Sequence, residues 1–137
     1  MRAEGFEKEE MVMLKIVVVD DEKIIRTLLY EILSKAGHEV FVTGTADEAF
    51  EIVKEKSPDI LITDIFMPEK SGLELIMEIR KSFPSIKTIA ISGDSISRAG
   101  GHRDCLKLAA TLGCALILEK PFTRNEVIEA IEKISVS

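Results

Sequence analysis

Acidic, hydroxyl and ammonium side chains stand at the ends of four of the five short apolar runs in this sequence. They are Asp20, Asp21 and Glu22 after the first run, Asp64 after the third, Ser92 at the end of the fourth, and Glu119 and Lys120 after the fifth. In an open parallel sheet the carboxyl ends of all strands share one edge, and ligands bind there where the strand order reverses. We therefore expect three of these carboxylates, a hydroxyl and an ammonium group to converge on one crevice.

The expected crevice has the chemistry of a metal-dependent phosphoryl site. Three carboxylates packed together repel one another, and their charged forms are tolerated only with a cation between them. Oxygen ligands without His or Cys favour a hard ion, Mg²⁺ ahead of Zn²⁺. A metal ion flanked by Lys120 and the Ser92 hydroxyl is suited to holding a phosphoryl group. An aspartate can itself be the nucleophile in such a site, forming an acyl phosphate.

The five apolar runs that position these groups are predicted to be buried strands. They are short, and three of them are rich in β-branched residues. The predicted bounds are 14–19, 39–42, 59–63, 86–92 and 115–118, of which 39–42 is the weakest. Each run is separated from the next by an amphipathic stretch, which is typical of alternating strands and helices.

These amphipathic stretches and the segment after the last strand predict five helices. The first has apolar residues at helical spacing between Ile24 and Leu33 and stops before Gly37. Another is predicted over residues 104–112. The remaining three open with a hydroxyl and a carboxylate three residues apart, the pattern of a capping box: Thr45 with Glu48, Ser71 with Glu74, and Thr123 with Glu126. Five strands alternating with five helices imply an α/β fold whose parallel sheet is covered on both faces.

Length and charge limit the classes of protein to which the chain can belong. Its 137 residues suit one domain, and we expect a flexible N-terminal extension over residues 1–13 before a single domain over residues 14–137. The net charge of −6 argues against direct binding of nucleic acid, which requires a basic face. No apolar run approaches the ~20 residues of a membrane helix, and the N-terminus does not resemble a signal peptide. We therefore expect a cytoplasmic protein without membrane insertion.

Four motifs at the ends of the predicted strands occur together in one family. They are VVDDE at 18–22, ITDIFMP at 62–68, IAISG at 89–93 and LEKPF at 118–122. With these motifs the chain, from about Leu14 to its end, resembles a bacterial response-regulator receiver domain. The resemblance implies a flavodoxin-like, doubly wound sheet of five parallel strands in the order 2-1-3-4-5, with five helices. It also implies a phosphorylation-dependent switch of two-component signalling.

The resemblance assigns roles to the acidic residues of the expected crevice. Asp64 looks like the phosphoacceptor, which takes a phosphoryl group from a phosphohistidine of a sensor histidine kinase or a histidine phosphotransfer protein. Asp21 resembles the direct Mg²⁺ ligand, and Asp20 resembles the residue that holds the metal through water. Asp64 itself and the backbone carbonyl of Phe66 would complete the protein ligands to Mg²⁺.

The resemblance also covers the ends of the fourth and fifth strands. Ser92 matches the switch hydroxyl that moves toward the phosphoryl oxygen, and Lys120 matches the lysine that pairs with the phosphate. Pro121 is expected to follow Lys120 through a cis peptide bond. The family usually has an aromatic residue three positions before this lysine, but here the position is Ile117, which is expected to be a plain strand residue. The segment 93–103 is longer than is typical, and it forms either a partner surface or a tolerated insertion.

The leading hypothesis is a switch that catalyses only its own phosphorylation and dephosphorylation and is not a turnover enzyme. Without its own output domain, it would act on an unidentified downstream protein or within a phosphorelay, as a monomer or weak homodimer. One alternative is a Mg²⁺-dependent phosphatase, which usually needs an acid two positions after the nucleophile, where this chain has Phe66. Another is a flavin-binding electron carrier, whose phosphate Asp20, Asp21 and Glu22 would repel. The last is a receiver that no longer takes phosphate and serves as an interaction module.

Overall fold

The computed structural model describes residues 13–93, residue 107 and residues 110–135. Residues 1–12 of the predicted extension lie outside this part of the chain, and so does the segment 93–103 apart from Gly93. The expectations for those two segments therefore stay predictions.

The sheet has the predicted topology. Its strands are β1 (Lys15–Val19), β2 (Glu39–Thr43), β3 (Ile60–Asp64), β4 (Lys87–Ser92) and β5 (Leu116–Glu119). All four pairings are parallel, and the order is β2-β1-β3-β4-β5. No strand end differs from its predicted position by more than one residue, because the apolar runs coincide with the buried part of each strand.

Four helices are delimited in the described residues. They are α1 (Lys23–Lys35), α2 (Ala46–Lys56), α3 (Gly72–Ser82) and α4 (Arg124–Ser135). The fifth helix, predicted over 104–112, lies mostly outside the described residues, although Lys107, Ala110 and Thr111 are helical. The described chain thus has four bounded helices rather than the five predicted. None of the helices within the described ranges is long and apolar enough to span a membrane.

The helix caps follow the sequence pattern with one exception. At α2 the Thr45 hydroxyl accepts a hydrogen bond from the Glu48 backbone N–H at 3.2 Å, as predicted. The prediction of the reciprocal bond, from the Thr45 N–H to the Glu48 carboxylate, is wrong. The Thr43 hydroxyl at the end of β2 donates to that carboxylate instead. The two boxes at α3 and α4 are complete: Ser71 with Glu74, and Thr123 with Glu126.

Alternation along β1 divides its side chains between two apolar cores, one on each face of the sheet. Ile16 and Val18 pack with residues of α1 and α4, whereas Val17 and Val19 pack with residues of α2 and α3. All four side chains are fully buried. Successive residues of a strand point to opposite faces, so a strand covered on both sides must be apolar throughout. The charged residues next to these four stand at the two ends of β1, Lys15 at its start and Asp20 directly after it.

Candidate functional site

The predicted crevice forms at the carboxyl ends of β1 and β3, where the strand order reverses. Val19 pairs in register with Thr63, so Asp20 and Asp64 follow side by side at the edge of the sheet. β3 and β4 are paired up to their carboxyl ends, which brings Ser92 to the same edge. The parallel register therefore gathers residues that lie far apart in the sequence.

Three aspartates form a compact cluster of oxygen ligands in this crevice. One carboxylate oxygen from each of Asp20, Asp21 and Asp64 lies within 4.8 Å of the other two. Asp20 and Asp64 are buried, whereas Asp21 is exposed. The Glu22 backbone N–H donates to Asp20 Oδ1 at 2.8 Å, and the Phe66 backbone N–H donates to Asp64 Oδ1 at 3.2 Å. These bonds fix both buried side chains through their Oδ1 atoms.

Lys120 is the positive counterpart of the cluster. Its ammonium nitrogen lies 3.1 Å from Asp20 Oδ2 and 3.5 Å from Asp64 Oδ2. The contact with Asp20 is an ion pair without the geometry of a hydrogen bond. Glu22 Oε1, on the solvent side, lies 2.9 Å from the same nitrogen. One cation therefore contacts carboxylates at the end of β1, before α1 and at the end of β3.

Burial and crowding of like charges set the electrostatics of the crevice. Burial and the neighbouring Asp20 carboxylate raise the pKa of Asp64 from 3.8 to about 6, against the opposing effect of Lys120. Burial also raises the pKa of Asp20. Burial alone would lower the pKa of Lys120, but the hydrogen bond with Glu22 and the nearby aspartates raise it overall. The single positive charge of Lys120 thus balances only part of the negative charge of the three aspartates, and this favours binding of a further cation.

The chemistry of the cluster fits the predicted Mg²⁺. Its three donors are carboxylates, the hard oxygen ligands that Mg²⁺ prefers over nitrogen or sulfur. Asp20, Asp21 and Asp64 are the residues that would hold the ion. The backbone carbonyl of Phe66 stays a predicted further ligand.

The ends of β4 and β5 complete the crevice. Ser92 is buried, and its carbonyl oxygen accepts a hydrogen bond from the Lys120 backbone N–H at 2.8 Å. The peptide bond between Lys120 and Pro121 is cis, as predicted. Ile117 is half-buried against an apolar cluster that includes Ala90 of β4. It fills an ordinary strand position, as expected.

Two residues that shape the crevice, Gly72 and Arg26, were not predicted to do so, and Glu22 was predicted at the end of the first strand without a contact to Lys120. Gly72 begins α3 against the main chain of Asp64, and a Cβ atom at Gly72 would lie 1.8 Å from the Asp64 carbonyl oxygen. Arg26 Nη1 donates a hydrogen bond to the Asp20 carbonyl oxygen at 2.8 Å. Glu22 contacts the crevice lysine. A glycine directly after a helix-capping serine was an available signal for Gly72, but the two other contacts depend on tertiary distances.

A family model, related sequences and solved structures all match the part of this chain that contains the crevice. Residues 16–132, which include every predicted site residue, match the model of the response regulator receiver domain family. The chemotaxis protein CheY of Thermotoga maritima is 38% identical over 122 residues, which cover 88% of this chain and 97% of that protein. Among solved structures, the receiver domain of NtrX from Brucella abortus has a TM-score of 0.78 at 32% identity, covering 86% of this chain and 95% of that one.

Some relatives are much longer than this chain. The DNA-binding transcriptional regulator NtrC of Azospirillum brasilense is 35% identical over 118 residues, or 86% of this chain. The matched region is only 23% of the length of NtrC. The similarity to such proteins therefore concerns one part of them.

Proposed function

Because the chain belongs to the response regulator receiver domain family, we propose that it accepts a phosphoryl group on Asp64 with the help of Mg²⁺. Receiver domains are phosphorylation-controlled switches of two-component signalling. The proposed donor is a sensor histidine kinase or a histidine phosphotransfer protein. The proposed setting is the cytoplasm, where the signal passes to another protein by direct contact.

The excess of acidic groups around Lys120 is the observation that carries this proposal. The lysine lies within 3.5 Å of both Asp20 and Asp64, and a third aspartate oxygen lies within 4.8 Å of theirs. A purely structural ion pair needs one acid for one base, and burying additional charge is costly. The proposed function gives each of the four charged groups a role. Asp64 is the nucleophile, the three aspartates are metal ligands, and Lys120 is the cation for the phosphoryl oxygens.

In the proposed transfer a carboxylate oxygen of Asp64 attacks the phosphorus atom of a phosphohistidine. The new O–P bond forms as the P–N bond breaks, and the nitrogen keeps the electron pair of the broken bond. An imidazole ring that is protonated before transfer leaves as neutral imidazole, so Asp64 has no proton to supply. Lys120 pairs with one phosphoryl oxygen and the Ser92 hydroxyl with another. Mg²⁺, when bound by Asp20, Asp21 and Asp64, neutralises charge on the phosphoryl oxygens.

The chain is proposed to act as a switch rather than as a turnover enzyme. Phe66, half-exposed, stands where an aspartyl phosphatase would have its leaving-group acid. The charge added at Asp64 would shift an equilibrium between two conformations of the domain, with Ser92 contacting the phosphoryl group in one of them.

Intact-mass measurement after incubation with acetyl phosphate tests this function. Wild type, Asp64→Asn and Asp47→Asn are compared with and without Mg²⁺, where Asp47 is an exposed aspartate outside the crevice. Wild type and Asp47→Asn are expected to gain one phosphoryl group in Mg²⁺ only, and Asp64→Asn is expected to gain none. An equal gain in Asp64→Asn would place the nucleophile elsewhere. No gain in wild type under either condition would favour the interaction module that takes no phosphate.

A further inference from the structure

Glu22 occupies the N-cap position of α1, yet its side chain makes no capping hydrogen bond. Its Oε1 atom lies 2.9 Å from Lys120 Nζ, which is the shortest of the three contacts that the ammonium makes with carboxylates of the described residues. The Glu22 side chain is 60% exposed, whereas that of Lys120 is 14% exposed. The glutamate thus approaches the lysine from solvent and leaves the start of the helix without its side-chain cap.

The main chain of Glu22 is fixed, and only its side chain is free to change partner. The Glu22 N–H donates to Asp20 Oδ1 at 2.8 Å, and the Glu22 carbonyl oxygen accepts from the Arg26 N–H at 3.1 Å. Asp20 and Asp64, the other two partners of Lys120, are buried and held by their Oδ1 atoms. Glu22 is therefore the partner of Lys120 that can withdraw into solvent.

We propose that Glu22 is a positioning residue that holds Lys120 through this contact and so slows phosphorylation of Asp64. The inference rests on the proposed function of Asp64. Among the described residues, three carboxylates surround the ammonium group of Lys120, and those of Glu22 and Asp64 accept hydrogen bonds from it. A phosphoryl oxygen that pairs with Lys120 competes with these carboxylates for the ammonium group. The exposed glutamate is the one displaced, and its contact with the lysine must break before transfer.

A second effect of Glu22 has to be separated from the first. Its negative charge at the mouth of the crevice would also repel an anionic phosphoryl donor, without any contact with Lys120. Glu22→Ala removes both the charge and the contact. Glu22→Asp keeps the charge on a side chain one methylene shorter, and aspartate at an N-cap position prefers to accept hydrogen bonds from the helix N–H groups. Only the contact is lost in Glu22→Asp.

The test is the initial rate of phosphorylation by acetyl phosphate in saturating Mg²⁺, followed over a range of donor concentrations. Glu55→Ala and Glu55→Asp, at an exposed position of α2, are the matched controls. Both Glu22 variants are expected to raise the maximal rate about two- to fivefold, the range that one exposed ion pair supports. Acceleration in Glu22→Ala alone would mean charge repulsion and would overturn the proposal. Unchanged rates in both variants would also overturn it.

A second measurement is independent of phosphorylation. The urea midpoints of wild type, Glu22→Ala, Lys120→Met and the double variant form a cycle in metal-free buffer. If the contact exists in solution, the effect of Glu22→Ala should disappear once Lys120 is replaced, whereas additive effects would refute the contact. A wild type that takes no phosphoryl group would refute the proposed function instead, and the cycle would still decide whether Glu22 holds Lys120.

Discussion

Replacing Asp64 with asparagine is expected to stabilise the metal-free protein at neutral and alkaline pH. In the folded protein, burial and the Asp20 carboxylate raise the pKa of Asp64 from 3.8 to about 6. The unfolded chain releases this proton at the ordinary pKa, so the folded protein binds more protons between the two values. Stability therefore falls as the pH rises through this interval, and it stays low above it. Asparagine has no charge to bury, so Asp64→Asn should not lose this stability as the pH rises.

The size of the effect follows from the change in proton affinity. A tenfold change corresponds to about 1.4 kcal/mol, so the rise to about 6 makes the charged form about 3 kcal/mol less stable in the folded state. Asp64 is only 6% exposed, and solvent screening reduces this figure little. We expect Asp64→Asn to raise the free energy of unfolding by up to about 3 kcal/mol at pH 8 and by less than about 1 kcal/mol at pH 4.

Urea unfolding followed by circular dichroism, in the presence of EDTA at both pH values, measures this difference. Glu55→Gln removes an exposed carboxylate of α2 and serves as the control, with little change expected at either pH. An equal gain for Asp64→Asn at both pH values would mean that packing, not charge, is responsible. A loss of stability at pH 8 would refute the reasoning. Mg²⁺ should stabilise wild type more than Asp64→Asn, and it should therefore reduce the difference in the free energy of unfolding between the two proteins.

Substitutions at three further positions test the surroundings of the nucleophile. Gly72→Ala places a methyl group against the Asp64 carbonyl oxygen and should lower the free energy of unfolding by more than about 2 kcal/mol; a urea midpoint like that of wild type would contradict this. Ser71→Ala removes a cap of α3 and should cost about 1 kcal/mol in the same assay, whereas Ser71→Asp should retain most of the stability. Phe66→Asn should shorten the lifetime of the phosphorylated protein, measured by intact mass against time, because a half-exposed ring would no longer exclude the attacking water; an unchanged lifetime rules this out.

The strands and the positions of the site residues could be predicted from the sequence because both follow from local pattern. An apolar run such as Ile16 to Val19 leaves no polar face, which is the condition of a strand between two layers of helices. The first polar residue after such a run must lie at the carboxyl edge of the sheet. Asp20 and Asp64 are therefore placed by the rule for parallel sheets, whereas the strand order came from the family resemblance alone.

Contacts between side chains that are far apart in the sequence could not be predicted in this way. Glu22 and Lys120 are 98 positions apart, and nothing in either local sequence states that an N-cap side chain would turn away from its helix. The capping box at α2 is half-formed for a local reason, since the Thr43 hydroxyl, five positions before Glu48, binds the carboxylate that the Thr45 N–H was expected to bind. A pattern along the chain gives the candidates for a bond, and the fold decides among them.

The burial of β1 on both faces has a consequence for how long the crevice keeps its shape. β1 is hydrogen-bonded to β2 on one side and to β3 on the other, and its side chains are covered by helices above and below. The amide hydrogens of Val17 and Val18 should exchange with solvent only when the whole domain opens, while peripheral helix ends fray independently. Asp20 directly follows β1, and Asp64 is the last residue of β3, which pairs with β1. Brief openings at the periphery therefore leave the nucleophile and its neighbouring carboxylate in register.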